Sequence, residues 1–556
     1  MKTLRKMMAL ALAMVMVVAM TTLVWASDYK ITIDNRANKS VSIDGKAYTA
    51  YKLFDVTYTG SGTSDPHAYS IDSDGDGAWA WATLTSGVTA DAKGVYDNTT
   101  YGLKFTPSAA DSSVYTITST MTDAQARLLA DALGATSVSK TGAVSANATA
   151  SGETATIDVG QAGYWLVYGT AKPKDPSDAT DEVVAACALT TTDPTETVNP
   201  KVSIPKLDKK ITGEHVLDDD GKAAAAQVGS TVSFELDSNV PDIRGYTTYT
   251  FEINDTISDG LSFTGTDTAN TINGLAITVG GSTLATDKYT VAHTIGAKSF
   301  KITIPFATLQ ELTKDAAIVV TYSAIVNDGA LTTNYEKNTA SLTYSNNPYD
   351  NDSKDTTPDK EVYVIDVDIN VDKVANDGSG EKLQNAKFKV FKGATQPADT
   401  AKAWYKWDET NKKVTWVAKA DADEFTTGSG GKFTPSVRGL EGEKDGTSYG
   451  LLETAAPTGY NLLDAPVIVT LKTELDANAT TATVTATGAT VTEGTVNLGA
   501  NQTAKQPLAT AQVINKTGTE LPSTGGIGTT IFYVIGAILV LGAGILLVTR
   551  RRMNAN

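Results

Sequence analysis

The chain has 556 residues, too long for one domain; at roughly 100–200 residues each, about three or four are expected. It carries 46 Lys+Arg against 63 Asp+Glu, a formal net charge of −17, which argues against nucleic acid or an anionic membrane surface as the main partner. One cysteine and three histidines exclude a disulfide framework and any multi-cysteine metal site, and leave little for histidine catalysis, so neither a metal nor a cofactor is expected.

In chain order, the first segment is MKTLRKMMALALAMVMVVAMTTLVWAS. Lys2, Arg5 and Lys6 precede an apolar run from Met7 to Val24, and Val24 and Ala26 stand at the −3 and −1 positions of a cleavage site. Residues 1–26 therefore read as a secretory signal peptide. Beyond it, Thr, Val, Ala and Gly are abundant. Strand-like alternation recurs between Gly, Asp, Asn and Ser clusters, which points to an all-β protein.

Two composition breaks divide this region: TTTDPTETVNPK (190–201), and SNNPYDNDSKDTTPDK (345–360). They predict three tandem Ig-like β-sandwich domains over 27–199, 200–360 and 361–518. In the first, TDAQARLLADAL (122–133) has helical spacing behind a Thr or Asp cap. DSDGDGAW (72–79) spaces Asp72, Asp74 and Asp76 like a calcium loop. Its twelfth position is Thr83, however, so an Asp/Gly surface turn is the better reading. Cys187, in VVAACAL, reads as a small buried residue. Lys52, in AYKLFDV, is a strand lysine without an identifiable acid and asparagine, so no cross-link is expected there. In the second domain FATLQELTKDA (306–316) suggests a helical turn or two.

Strand alternation places charged and polar groups on inward faces. Leu207, Lys209 and Ile211 share one face, as do Phe251, Ile253, Asp255 and Ile257, and Asn338, Ala340, Leu342 and Tyr344. The third domain repeats the arrangement: Val367, Ile369, Val371 and Lys373 alternate, Ala511, Val513 and Asn515 do the same, and Glu453 follows Leu451 by two positions. Burial lowers a lysine pKa and raises that of a carboxyl. A neutral amine is a nucleophile, and a protonated carboxyl can polarise a carboxamide. Held together in a dry core, the three groups can form a Lys–Asn isopeptide bond and release ammonia without an external enzyme.

The chain closes with LPSTG, formed by Leu521, Pro522, Ser523, Thr524 and Gly525. An apolar segment over 527–549 follows, and a tail over 550–556 carries Arg550, Arg551 and Arg552. The apolar segment can span a bilayer, and the arginines mark its cytoplasmic side. This composite resembles the sorting signal of Gram-positive surface proteins, which a sortase cuts between the residues matching Thr524 and Gly525.

Further residues extend the resemblance. YGLLETAAPTGY closely matches the YxLxETxAPxGY box of sortase-assembled Gram-positive pilins. INVDKVANDGSGEKLQNAKFKVF looks like the start of a collagen-adhesin B-type (CnaB) domain. FEINDTISDGLSF and KNTASLTYSNNP look like the fimbrial isopeptide-forming middle domain (a CnaA/CnaB-type sandwich), and GYWLVYG like the end of a pilin N-terminal domain. The resemblance covers essentially the whole chain and implies a major shaft pilin. It implies bonds Lys209–Asn338 with catalytic Asp255, and Lys373–Asn515 with catalytic Glu453. It also implies a surface lysine, in a V-Y-P-K-like motif, that joins the sortase-bound threonine of the next subunit. Here Val198, Asn199, Pro200 and Lys201 occupy that place, with Asn for the usual Tyr, and Pro205–Lys206 is a second Pro–Lys pair; Lys201 is the expected linkage residue, joined to Thr524. The implied partners are pilin-specific and housekeeping sortases, other copies of the chain, peptidoglycan, and tip and base pilins. The implied location is the wall of a Gram-positive cell, reached through a transient membrane-bound precursor. A monomeric wall-anchored adhesin or an ancillary pilin is the alternative.

Overall fold

The computed structural model of the chain describes residues 29–38, 40–58, 67–135, 137–174, 183–185, 188–191, 195–200, 202–265, 268–376, 380–499, 506–517 and 527–553. The expected signal peptide, Cys187, Lys201 and the LPSTG residues, Thr524 included, lie outside these. The described chain is dominated by strands, in six sheets that fall into three sequence-continuous pairs, and no sheet mixes strands from two of the pairs. The chain forms two compact units. One comprises Met1–Ile365 with Leu475–Thr481 and Asn497–Ala504; the other comprises Asp366–Glu474, Ala482–Val496 and Lys505–Asn556.

In the first unit, strands between Lys30 and Val198 make a three-stranded and a ten-stranded sheet. Lys30–Asp34 runs parallel to Thr195–Val198 and antiparallel to Thr154–Asp158, with Ile31 and Ile33 fully buried. Ala47–Tyr58 pairs with Tyr164–Pro173, and beneath them Leu53, Phe54, Ile71, Leu103, Phe105 and Leu166 meet two helices. The helix expected over 122–133 spans Asp123–Gly134. Thr122 and Gln125 cap it reciprocally, and Leu129, Ala130 and Leu133 are buried. A shorter helix, Ala78–Leu84, begins directly after the Asp/Gly turn and buries Trp79, Ala80 and Leu84.

Strands between Leu207 and Ile365 form a six-stranded sheet facing a seven-stranded one. Thr231–Asn239 lies between Leu207–Thr212 and Ala317–Val326, while Glu336–Ser345 lies between Phe251–Ile257 and Lys360–Ile365. Leu207–Thr212, Phe251–Ile257, Ala317–Val326 and most of Glu336–Ser345 alternate buried with half-buried or exposed positions, as a sandwich requires, while Lys360–Ile365 is buried along its last four residues. The turn or two suggested over 306–316 is the helix Phe306–Glu311.

In the second unit, Val367–Ala375 pairs in parallel with Leu508–Asn515 inside a four-stranded sheet. An eight-stranded sheet contains Lys387–Lys392 and Thr447–Ala455. The C-terminal segment is a helix, Ile527–Met553, long and apolar enough to cross a bilayer. Arg550, Arg551 and Arg552, expected in a tail after the span, form the last turn of that helix.

One glycine in the YGLLET stretch is fixed by packing. Gly450 stands opposite Phe391, and a Cβ there would lie 1.9 Å from Phe391 Cζ. Phe391 is fully buried and meets Trp404 edge-on at 5.2 Å. Gly450→Ala should therefore lower stability by roughly 1–3 kcal/mol through overpacking. The check is a fall in the thermal midpoint; an unchanged midpoint would show that the ring can give way freely.

Candidate functional site

Lys209, Asp255 and Asn338 meet in the core between the two sheets of the 207–365 region. The lysine comes from the first strand, Leu207–Thr212, of one sheet. The acid and the amide come from adjacent strands of the other, two positions apart in register, since Asp255 pairs with Ala340 and Asn338 with Ile257. Lys209 and Asn338 are fully buried, and Asp255 nearly so. Lys209 Nζ lies 2.5 Å from Asp255 Oδ2. It also lies over the rings of Phe234 and Tyr322, at 5.5 and 5.3 Å from their centroids.

Burial pulls the Lys209 amine below its ordinary pKa, with Asp255 only partly opposing, and burial pushes the Asp255 carboxyl up against the pull of Lys209 and Tyr322. Both shifts favour the neutral amine and the protonated acid, because a core of this kind solvates neither ion.

Tyr322 was not anticipated from sequence. It lies on Ala317–Val326, inward between Val320 and Ala324, and its hydroxyl touches all three groups. Lys209 Nζ is 2.8 Å from Tyr322 Oη, Oη donates to Asp255 Oδ2 at 2.7 Å, and Asn338 Nδ2 donates to Oη at 2.7 Å. Burial raises its phenol well above the ordinary value, so it is a neutral hydroxyl.

The second cluster is built differently. Lys373 pairs with Val513 and Ala375 with Asn515 on neighbouring parallel strands, so the lysine and the amide lie diagonally on one sheet while Glu453 comes from the other. Lys373 and Asn515 are fully buried and Glu453 almost so. Lys373 Nζ is 3.2 Å from Glu453 Oε1, and Asn515 Nδ2 donates to Glu453 Oε2 at 2.9 Å. The Leu463 N–H also donates to Oε2, and the Asn461 carbonyl accepts from Asn515 Nδ2 at 2.8 Å, two backbone partners that the alternation pattern does not reveal. Burial lowers the Lys373 amine, against the pull of Glu453.

Both clusters leave reactive oxygens without hydrogen-bond partners, Asp255 Oδ1 and Asn338 Oδ1 in one and Asn515 Oδ1 in the other, while Lys373 Nζ and Glu453 Oε1 have only each other. An orphaned buried polar atom costs about 1–3 kcal/mol, and forming a bond at the carboxamide would relieve part of that cost.

Lys52 supplies the contrast. It too is nearly buried, but its Nζ lies 2.8 Å from Asp55 Oδ1 and 2.9 Å from Asp76 Oδ2, both acids half exposed. Burial pulls this amine down, yet hydrogen bonds to Asp55 and Asp76 outweigh it and raise the pKa. Lys52 is therefore a charged ammonium and a poor nucleophile. Asp76 is engaged by Lys52, and Asp72 Oδ1 accepts the N–H groups of Asp74 and Gly75, so the Asp/Gly segment is a self-satisfied turn. Lys206, the second Pro–Lys lysine, is exposed, on a roughly 820 Å³ cleft with Asn199, Pro200, Arg244 and Lys314.

Comparisons with known proteins agree with the resemblance read from the sequence. Residues 514–555 match the family described as LPXTG cell wall anchor motif, and residues 367–489 the prealbumin-like fold domain. The chain is 25% identical over 410 residues to the trypsin-resistant surface T6 protein of Streptococcus pyogenes serotype M6, covering 63% of this chain and 70% of that protein. Among solved structures, it is similar to the T6 backbone pilin of S. pyogenes (18% identity, 88% and 98% of the two chains, TM-score 0.48). It is also similar to a group B streptococcus pilus 2b backbone protein (26% identity, 57% and 99%, TM-score 0.36). With its anchor motif and apolar C-terminal helix, the protein is a cell-wall-anchored surface protein.

One acid on the strand that carries Lys373 has a testable titration. Asp368, on the Lys373 strand, accepts from Ser436 Oγ at 2.6 Å and from the Gly439 N–H at 2.9 Å, and burial pushes its pKa up to about 6. The folded state thus holds a proton that the unfolded chain releases near 3.8. This contribution to stability is complete below that value and is lost as pH rises through about 6. Asp368→Asn should flatten the pH dependence of the thermal midpoint across this window; a profile identical to wild type would show that Asp368 titrates normally.

Proposed function

We propose that this chain is the shaft subunit of a covalently polymerised cell-surface pilus. It is secreted, built of three tandem β-sandwich domains, cross-linked internally by two Lys–Asn isopeptide bonds, joined to its neighbours through Lys201 and Thr524 by a pilin sortase, and anchored to peptidoglycan. The observation that carries this reading is the union, in one chain, of a wall-anchor C-terminus with two buried clusters, each holding an amine, a carboxyl and a carboxamide. Such clusters have little purpose as ion pairs: burying two charges costs several kcal/mol per ion, and apolar residues would pack the same space at lower cost.

The chemistry follows from the neutral forms. The lysine nitrogen attacks the asparagine Cγ, and the acid protonates the amide oxygen. A proton passes from the entering to the leaving nitrogen, ammonia departs, and the acid recovers its proton. Each cluster turns over once, and no cofactor takes part. The product closes a long chain segment and restricts the unfolded ensemble, much as a disulfide does, where a typical gain is about 2–4 kcal/mol. Trypsin resistance, the property that names the T6 relative, is what such closure would give.

Intact mass of residues 27–518 should fall short of the unreacted value by two ammonia molecules, and the full unreacted mass would end the cross-link reading. Glu453→Ala should restore one ammonia and lower the thermal midpoint. In the native host, Lys201→Ala should abolish the high-molecular-weight ladder of linked subunits. Persistence of the ladder would move the linkage to another lysine, Lys206 first; a wild-type chain that never forms one would be a monomeric adhesin or an ancillary pilin.

A further inference from the structure

We propose that the Tyr322 hydroxyl is a catalytic proton relay for the Lys209–Asn338 cross-link, carrying the proton that must pass from Lys209 Nζ to Asn338 Nδ2. The inference rests on the cross-link reading above and adds a fourth reacting group to it. A buried core tyrosine needs only one partner for its hydroxyl. Tyr322 Oη has three, and two of them are the nitrogen that enters and the nitrogen that leaves, at 2.8 and 2.7 Å.

The second cluster shows why the first needs this group. Glu453 reaches both nitrogens with its own two oxygens, Lys373 Nζ at Oε1 and Asn515 Nδ2 at Oε2. One carboxyl can therefore serve the whole proton traffic there. Asp255 is a methylene shorter; its Oδ2 contacts Lys209 Nζ, whereas Asn338 Nδ2 bonds to Tyr322 Oη. Oη in turn bonds to Asp255 Oδ2. Aspartate and tyrosine together span the distance that glutamate spans alone. Neighbouring rings hold the phenol in place: Phe234 stacks on it at 5.4 Å, and Phe300 meets it edge-on at 5.0 Å.

The step balances. Nζ attacks Cγ, the carbonyl electrons move to Oδ1, and Oδ1 takes the Asp255 proton. The now cationic Nζ gives one proton to Oη, while Oη gives its own to Nδ2. The Cγ–Nδ2 bond breaks, its electron pair leaves with ammonia, and Oδ1–H returns its proton to Asp255 as the carbonyl re-forms. The tyrosine ends as it began, and nothing external is consumed.

The test uses the full chain with Glu453→Ala, so that only the first cluster can lose ammonia, and follows intact mass after a pulse of synthesis. The parent should lose one ammonia and the added Asp255→Ala none. The added Tyr322→Phe should react about 100-fold or more slowly, the scale of a lost general acid–base group. Site-specific fluorotyrosines at position 322 should restore the bond with rates that change with phenol acidity, which a packing role would not produce. A Tyr322→Phe chain that reacts at the parent rate overturns the relay. Should that variant fail to fold, rates indifferent to fluorination overturn it instead. A parent that never loses ammonia brings down the cross-link reading itself and the relay with it, whereas an Asp255→Ala chain that still loses it removes the acid from the step and overturns the relay built on it.

Discussion

The exclusion of water from a lysine amine is the constraint on which the rest of this protein turns. In water the amine is an ion and the nearby carboxyl its counter-ion, and nothing further happens. Between closed sheets, burial shifts Lys209 and Asp255 toward neutral forms, and the same pair becomes a nucleophile and an acid. On the proposed reading the fold must be complete before the chemistry can begin, so the apolar rows around Phe234, Leu236, Ile253 and Leu342 would be prerequisites of the reaction as much as of stability. Lys52 marks the boundary of the rule. It is about as deeply placed, yet two half-exposed carboxylates keep it ionic. Depth alone does not make a reactive lysine; the water access of its partners decides.

Much of this was legible in the sequence because a strand has a period of two. A lysine, an acid and an asparagine in apolar rows can be read directly, and Lys209, Asp255, Asn338, Lys373, Glu453 and Asn515 all lie where the rows place them. The helix at Asp123–Gly134 was legible through its helical spacing behind a Thr or Asp cap; the reciprocal Gln125 partner came from the structure. Tyr322 was not, since a tyrosine between Val320 and Ala324 is an ordinary core residue by pattern, and periodicity gives a face but not the direction of a hydroxyl. The Asn461 carbonyl that holds Asn515 belongs to the backbone, which no side-chain pattern encodes. The helix Ala78–Leu84 is too short to stand out behind its Asp/Gly turn.

The two clusters gather the same three kinds of group by different architecture. One gathers lysine from one sheet and acid and amide from the other; the other sets lysine and amide on neighbouring strands and brings the acid from across. In each, unsatisfied polar atoms remain on the groups that would react. For a wall-anchored chain with a single cysteine, such clusters, joined as proposed, would offer covalent reinforcement that a disulfide network cannot.

The parallel pairing of Val367–Ala375 with Leu508–Asn515 has a mechanical consequence. The two strands run in the same direction, so the chain enters at the foot of the first and leaves from the head of the second, where Lys373 and Asn515 both sit. With those side chains joined, tension applied at the two ends would travel up one strand, across a single amide and out. Everything from Val374 to Ile514 would hang slack beside that path. Loops and strands in this stretch could then lengthen, shorten or change their surface without altering the force the subunit withstands, leaving its exposed face free to vary while its tensile spine stays fixed.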